Sequence, residues 1–66
     1  MNFTERLLQA KETKGYTFKK LSEISGMPES SVYNWAKGKN EPSFFAVMCL
    51  AKALDVSLDW LAWGRK

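Results

Sequence analysis

The side chains best suited to chemistry in this sequence form one short run, ESSVYN at residues 29–34, with lysines at positions 37 and 39 just after it. Carboxylate, hydroxyl and amide groups at this density can make directional hydrogen bonds, and lysines attract anions. The chain has no histidine and one cysteine, Cys49, so it offers no His general base, no internal disulfide and no metal-ligand set. No Ser, Cys or Lys lies in a recognisable nucleophile motif. These features predict a binding protein that is not an enzyme and needs no cofactor.

Size and composition predict a single small domain over residues 1–66. A chain this short buries only roughly 60% of the surface that its unfolded form exposes, but the 45% apolar content can form one compact core. Ten Lys and Arg against seven Asp and Glu give a net charge of +3, which is compatible with a polyanionic partner. No apolar run approaches the ~20 residues that span a bilayer, and no signal-peptide pattern opens the chain. We therefore expect a cytoplasmic protein with no membrane partner and no small-molecule substrate.

The first two helices are predicted from their capping residues and the apolar spacing. Asn2 and Glu5 have the spacing of a capping box, which predicts a first helix over about residues 3–14. Thr17 can cap a second helix, and Gly26 can end it. The residues of these helices expected to face the core are Phe3, Leu7, Ala10, Phe18, Leu21 and Ile24.

Three further helices are predicted after the second. Pro28 can begin the third, over about residues 29–37, with Val32 and Trp35 buried. The expected caps and core residues of the fourth and fifth are Ser43, Phe44, Val47, Leu50, Ala51 and Leu54, then Ser57, Leu58, Trp60 and Leu61. No segment alternates with a period of two over the length of a strand. The predicted fold class is therefore all-α, with five short helices.

Residues 18–37 have the spacing of a helix-turn-helix, carried by Leu21, Ser22, Gly26, Val32 and Trp35. A small residue at position 22 lets the two helices cross closely. A glycine at position 26 allows the turn to adopt a positive φ. The joint spacing is a stronger signal than either small residue alone.

With "GKNEP" at residues 38–42 and "LAKALDVSLDWL" at 50–61, the sequence resembles the phage-repressor, or Cro/C1-type (XRE), family. It is most similar to the phage CI-repressor subgroup, and the resemblance extends from Phe3 to Gly64. The resemblance implies a five-helix, lambda-repressor-like domain that binds double-stranded DNA in the major groove, usually as a homodimer. The recognition helix would be the third, at about residues 29–37.

The sequence also differs from the family pattern at several positions. Phe18 replaces a glutamine that usually clamps a phosphate at the start of the second helix. Lys11 and Ala36 replace an arginine and an acid that often form an ion pair. Asp55 stands where a glycine usually ends the fourth helix, which requires the aspartate to adopt a left-handed conformation.

By the resemblance, Glu29, Ser30 and Asn34 match the positions that contact bases, and Tyr33 projects from the same side. Asparagine can pair with adenine through two hydrogen bonds, and glutamate can accept one from the cytosine amino group. Tyr33 can lie against a thymine methyl or bond to a phosphate. The alternative for Glu29 is an interaction with the helix dipole alone, and the serines can be ordinary first-turn residues.

Residues around this helix are expected to contact the DNA backbone. The helix N-terminus at position 17 offers free N–H groups, and the lysines after the third helix can straddle the phosphates. The expected phosphate contacts are Thr17, Phe18, Ser31, Lys37, Lys39 and Asn40.

Three apolar residues are candidates for a two-fold dimer contact: Phe45, Leu58 and Trp63. The alternative is that they complete a small core. Trp35, Trp60 and the pair Phe3 and Phe44 are expected in the core, and Cys49 is expected to be a packing residue.

The sequence therefore predicts a sequence-specific transcriptional regulator, a Cro/CI-like repressor whose two recognition helices occupy two half-sites. One alternative is a protein-interaction module on the same fold, such as an antitoxin, an antirepressor or an adaptor. The other is a non-specific DNA binder.

Overall fold

Five α-helices form the regular structure of the computed structural model, which describes residues 2–65. In chain order they are α1 (Phe3–Lys14), α2 (Phe18–Ser25), α3 (Glu29–Ala36), α4 (Phe44–Leu54) and α5 (Leu58–Trp63). The predicted all-α class is confirmed, and each predicted boundary is within a residue of the observed one. None of the helices in this part of the chain has the length and apolar character needed to cross a bilayer.

Polar side chains cap four of these helices at their first turns. Asn2 accepts from the backbone N–H of Glu5, and the Glu5 carboxylate accepts from the N–H of Asn2, which completes the predicted capping box. The hydroxyl oxygens of Thr17, Ser43 and Ser57 cap α2, α4 and α5, each by accepting from the backbone N–H three residues on. Because such caps depend only on residues three apart, they could be identified from the sequence.

The core receives at least one fully buried side chain from every helix. These are Leu7, Leu21, Val32, Leu50, Leu54 and Leu61. Burying an aliphatic side chain of this size contributes about 1.5–3 kcal/mol, so these six account for much of the stability of so small a fold. The core fixes α3 from one side only, which leaves its other side free.

The core prediction is wrong for two residues, because Ile24 is 44% exposed and Phe44 is 68% exposed. On α2 the buried side continues from Leu21 to Ser25, four residues on, and Ile24 therefore turns to solvent. Phe44 lies at the first position of α4, before Ala46 and Val47, where the covered part of that helix begins. Other predicted core aromatics, Phe3, Phe18, Trp35 and Trp60, are partly buried against the core.

The turn between α2 and α3 has the predicted form. Gly26 ends α2 with φ 77° and ψ 9°, a left-handed conformation that glycine adopts without steric cost. The Ser22 hydroxyl donates to the Met27 carbonyl at 2.6 Å, and the Ser25 hydroxyl accepts from the Met27 N–H at 3.2 Å. Pro28 lies one residue before α3 as its N-cap. The short turn is therefore held by side chains of α2, which fixes where α3 begins.

Within residues 2–65, one residue other than glycine has a positive φ. It is Asp55, at the end of α4, with φ 57°. This conformation costs an L-residue about 1–2 kcal/mol, and glycine removes that cost. The ion pair of Asp55 with Lys14, at 3.8 Å, is exposed and contributes little. We expect Asp55→Gly to raise the free energy of unfolding by about 0.5–1 kcal/mol after the entropic cost of glycine.

Thermal unfolding followed by circular dichroism measures this effect. Asp55→Ala is the matched control, because it removes the same carboxylate and keeps the strained backbone, and it should not raise the melting temperature. A glycine variant that melts below the wild-type protein would contradict the assignment of strain to this residue.

Candidate nucleic-acid interface

Helix α3 has one buried side and one accessible side. Val32 and Ala36 are fully buried and anchor it on the core. Glu29, Ser30 and Tyr33 are exposed, and the remaining predicted contact residues of this helix, Ser31 and Asn34, are half-buried. The four side chains predicted to contact bases therefore lie together on a surface that the described chain does not cover.

The hydrogen-bonding groups of this surface are not used within the fold. No side-chain hydrogen bond or ion pair involves Glu29, Ser30, Tyr33 or Asn34 anywhere in residues 2–65. The Asn34 side chain is half-buried, and its donors and acceptor stay available. A surface that presents short, unpaired donors and acceptors at fixed positions can recognise another set of such groups.

Two lysines that follow α3 lie close to the ring of Tyr33. The Nζ atoms of Lys37 and Lys39 lie 5.3 Å and 6.0 Å from the centre of the Tyr33 ring. The chain turns sharply here, because the Lys39 N–H donates to the Asn34 carbonyl at 2.9 Å and Gly38 has a positive φ. This turn returns the lysines to the surface of α3 and places two positive charges beside the predicted base-contacting residues.

Phe18 lies at the start of α2 with its side chain packed inward, as the apolar spacing predicts. Its side chain is half-buried, and its ring meets the ring of Tyr33 edge to face, with centroids 5.4 Å apart. The ammonium of the buried Lys11, on α1, lies 4.5 Å from the centre of the Phe18 ring. Phe18 can therefore approach a phosphate only through its backbone N–H. No local sequence signal could have identified this contact between residues of three helices.

The start of α2 adds donors next to these rings. The Thr17 hydroxyl accepts from the Lys20 N–H at 3.0 Å, so its oxygen is used as a cap while its proton remains free to donate. The backbone N–H groups of Phe18 and Lys19 have no acceptor in the described chain. Together with the lysines after α3, they border the accessible side of α3 with positive potential. Asn40 is exposed in the same loop.

Helices α4 and α5 carry exposed apolar side chains. Phe45 is 65% exposed and Trp63 is 72% exposed, as expected for candidate contact residues, whereas Leu58 packs partly against the core. Phe44 and Met48 add to the exposed apolar area on α4 and were not identified as such from the sequence. Cys49 is a half-buried free thiol, in agreement with the predicted packing role.

Comparisons with known proteins agree with this architecture. Residues 7–61 match the helix-turn-helix family. The HTH-type transcriptional activator BcrR of Enterococcus faecalis is 29% identical over 66 residues, which are all of this chain and 32% of BcrR. The chain thus spans about a third of the length of that curated relative.

Solved structures of three proteins have the same fold. The restriction-modification controller protein C.AhdI of Aeromonas hydrophila has a TM-score of 0.86 and 30% identity, over 89% of both chains. The N-terminal DNA binding domain of SinR from Bacillus subtilis has a TM-score of 0.85 and 27% identity, over 89% of this chain and 87% of that one. The P22 c2 repressor, solved with a synthetic operator, has a TM-score of 0.90 over 98% of both chains, and its 23% identity supports the fold alone.

Proposed function

The chain belongs to the Cro/C1-type helix-turn-helix family, and we propose that it is a sequence-specific DNA-binding regulator of transcription. Residues 1–66 act as one domain, with the helix-turn-helix at about residues 18–37. Helix α3 enters the major groove of double-stranded DNA and reads an operator half-site. The function needs no cofactor and no catalytic step, and it is exercised in the cytoplasm of a bacterial or phage-infected cell.

The observation that carries the proposal is the two-sided character of α3. Its inner side is fixed by Val32 and Ala36, and its outer side presents hydrogen-bonding groups that have no partner in the described chain. Base edges in the major groove display a pattern of donors and acceptors that such groups can match. An ordinary exposed helix of this length would not need an unpaired amide and a phenol beside two lysines.

The side chains of α3 have distinct proposed roles. Asn34 pairs with an adenine through N6 and N7, and Glu29 accepts from the amino group of a cytosine. Ser30 accepts or donates to the neighbouring base. Tyr33 contacts the methyl group of a thymine. Because a carboxylate near phosphates is costly unless it finds a donor, Glu29 should discriminate strongly against the other bases.

The surrounding residues are proposed to hold the DNA backbone. They are Thr17, the N–H of Phe18, Ser31, Lys37, Lys39 and Asn40. Lys37 and Lys39 lie near the Tyr33 ring, and Thr17 and Phe18 lie at the start of α2, which supports backbone contacts at two places around α3. These contacts fix the register of α3 and carry no base preference.

Lys39→Ala is expected to weaken binding equally on all sequences and to make it less dependent on salt. Loss of one phosphate contact per protomer should reduce the slope of log K against log salt by about 0.9 for each protomer bound. Fluorescence titrations of one duplex over a series of salt concentrations measure that slope. Lys52→Ala, which removes an exposed lysine on α4, is the matched control and should leave the slope unchanged. An unchanged slope for Lys39→Ala would remove this residue from the phosphate contacts.

We further propose that the protein binds its operator as a homodimer. The exposed Phe45 and Trp63, with the edge of the half-buried Leu58, form the contact between protomers. The exposed Phe44 and Met48 extend the apolar area that such a contact would cover. A two-fold dimer places its two α3 helices roughly 34 Å apart on one side of the DNA, one turn of the double helix.

Selection of bound duplexes from a random pool tests the proposal. The expected result is an enriched inverted repeat whose half-sites are about one helical turn apart. Equal affinity for selected and random duplexes would favour non-specific binding. Absence of DNA binding would favour a protein-interaction module on the same fold.

A further inference from the structure

Phe18 connects a buried charge to the exposed side of α3. On one side, the Lys11 ammonium lies 4.5 Å from its ring centre. On the other, its ring meets the ring of Tyr33 at an interplanar angle of 75°. Lys11 is 8% exposed, and its ammonium lies 3.5 Å from the exposed Glu12 carboxylate. These contacts therefore connect a buried ammonium on α1 to an accessible ring on α3.

This arrangement restricts the position of Tyr33. Edge-to-face rings with centroids 4.5–7 Å apart are favoured, because the positive edge of one ring meets the negative face of the other. Tyr33 is 42% exposed, so without Phe18 little else would limit the rotation of its side chain. Lys37 and Lys39 lie close to the same ring, where their charges interact favourably with its π-electrons. A ring held in this manner offers a fixed apolar surface rather than a mobile hydroxyl.

We propose that Phe18 is a positioning residue for base recognition: it fixes the ring of Tyr33 so that Tyr33 selects the C5-methyl group of one thymine in each half-site. The inference rests on the proposed function and assigns a residue that need not itself touch a base. Thymine is the base that the ring selects because its methyl is the one apolar group that the four bases present in the major groove. A mobile Tyr33 would instead bond through its hydroxyl to a phosphate and carry no base preference.

The experiment uses the operator selected with the wild-type protein, in which each thymine is replaced in turn by uracil. This exchange removes a single methyl group and leaves base pairing unchanged. For the wild-type protein we expect about a fourfold loss of affinity at one position in each half-site, as for the loss of one buried methyl. Quantitative titration of each duplex gives these ratios.

The variants separate positioning from general stability. In Phe18→Leu and Phe18→Met, the affinity ratio between thymine and uracil duplexes should fall to near unity at that position. Phe18→Tyr retains an aromatic edge and should retain the ratio. Phe3→Leu is the matched control, because it makes the same change at a half-buried ring that lines a groove with Trp35 and Trp63, and it should also leave the ratio intact.

Two results would overturn the inference while leaving the proposed function in place. One is an enriched operator at which the wild-type protein binds thymine and uracil duplexes equally at every position. The other is an unchanged ratio in both non-aromatic variants, with circular dichroism showing that they are folded. Failure to enrich any operator would instead remove the proposed function and this inference with it.

Discussion

Methionine in place of Arg6 is expected to lower the free energy of unfolding by about 2–4 kcal/mol, since hydrogen bonds from a charged group contribute about 1.5–3 kcal/mol each. Arg6 is only 6% exposed, although it carries a charge. Its Nε donates to the Leu61 carbonyl at 2.9 Å and an Nη atom donates to the Ala62 carbonyl at 3.0 Å. These carbonyls lie near the negative end of α5, so the guanidinium joins α1 to the last helix.

Methionine is shorter than arginine but replaces its aliphatic part and keeps much of the packing, and it leaves the buried Leu61 carbonyl without this donor. A domain of this size has a small margin of stability, so the melting temperature should fall by roughly 10–30 °C. Thermal and urea unfolding followed by circular dichroism measure the loss.

Two control variants separate the loss of the hydrogen bonds from the loss of the charge. Lys52→Met removes an exposed charge on α4 and should change stability by less than about 0.5 kcal/mol. Arg6→Lys keeps the charge, but a single ammonium cannot reproduce the planar fork of donors, so an intermediate loss is expected. A methionine variant as stable as the wild-type protein would show that Arg6 only fills space between α1 and α5.

The close approach of Arg6 also explains the glycine that ends α5. Gly64 has φ 78°, and a Cβ atom at this position would lie 3.1 Å from an Nη atom of Arg6. A side chain here would therefore be strained by its backbone, and the guanidinium would have to shift by a few tenths of an ångström.

Asn34→Ala is expected to lower affinity for the operator by about 1–3 kcal/mol in each half-site and to abolish the preference for one base pair. The amide loses two hydrogen bonds to adenine, and an alanine methyl cannot replace them. A selection repeated with the variant should give the same operator with one relaxed position in each half-site.

Asn40→Ala makes the same chemical change in the loop after α3, where we propose a phosphate contact. It should weaken binding on all duplexes and leave every base preference intact. If both variants lose affinity without a change in the selected sequence, Asn34 contacts the backbone and the proposed division of roles is wrong.

The helices and their ends could be predicted because their signals are local. The capping box of Asn2 and Glu5 and the left-handed residues Gly26 and Asp55 depend on neighbours within a few positions, and the structure agrees with each. The spacing of Val32 and Trp35 likewise predicts which side of α3 faces the core, and Val32 is fully buried there.

Features that depend on contacts between helices could not be predicted. Nothing near Arg6 in the sequence indicates that it reaches α5, 55 residues away. The same holds for the contacts of Lys11 and Tyr33 with Phe18. The prediction from helical periodicity that Phe44 is buried was also wrong, because periodicity does not indicate how much of α4 the neighbouring helices cover.

The central claim is that the accessible side of α3 lies in the major groove, and replacement of adenine by 7-deazaadenine in the operator tests it most directly. This base lacks N7, an acceptor in the major groove, and still pairs with thymine. We predict that the wild-type protein loses affinity at one adenine in each half-site, whereas Asn34→Ala binds the two duplexes equally. A wild-type protein insensitive to this replacement at every adenine, or an equal loss in wild type and variant, would contradict the account.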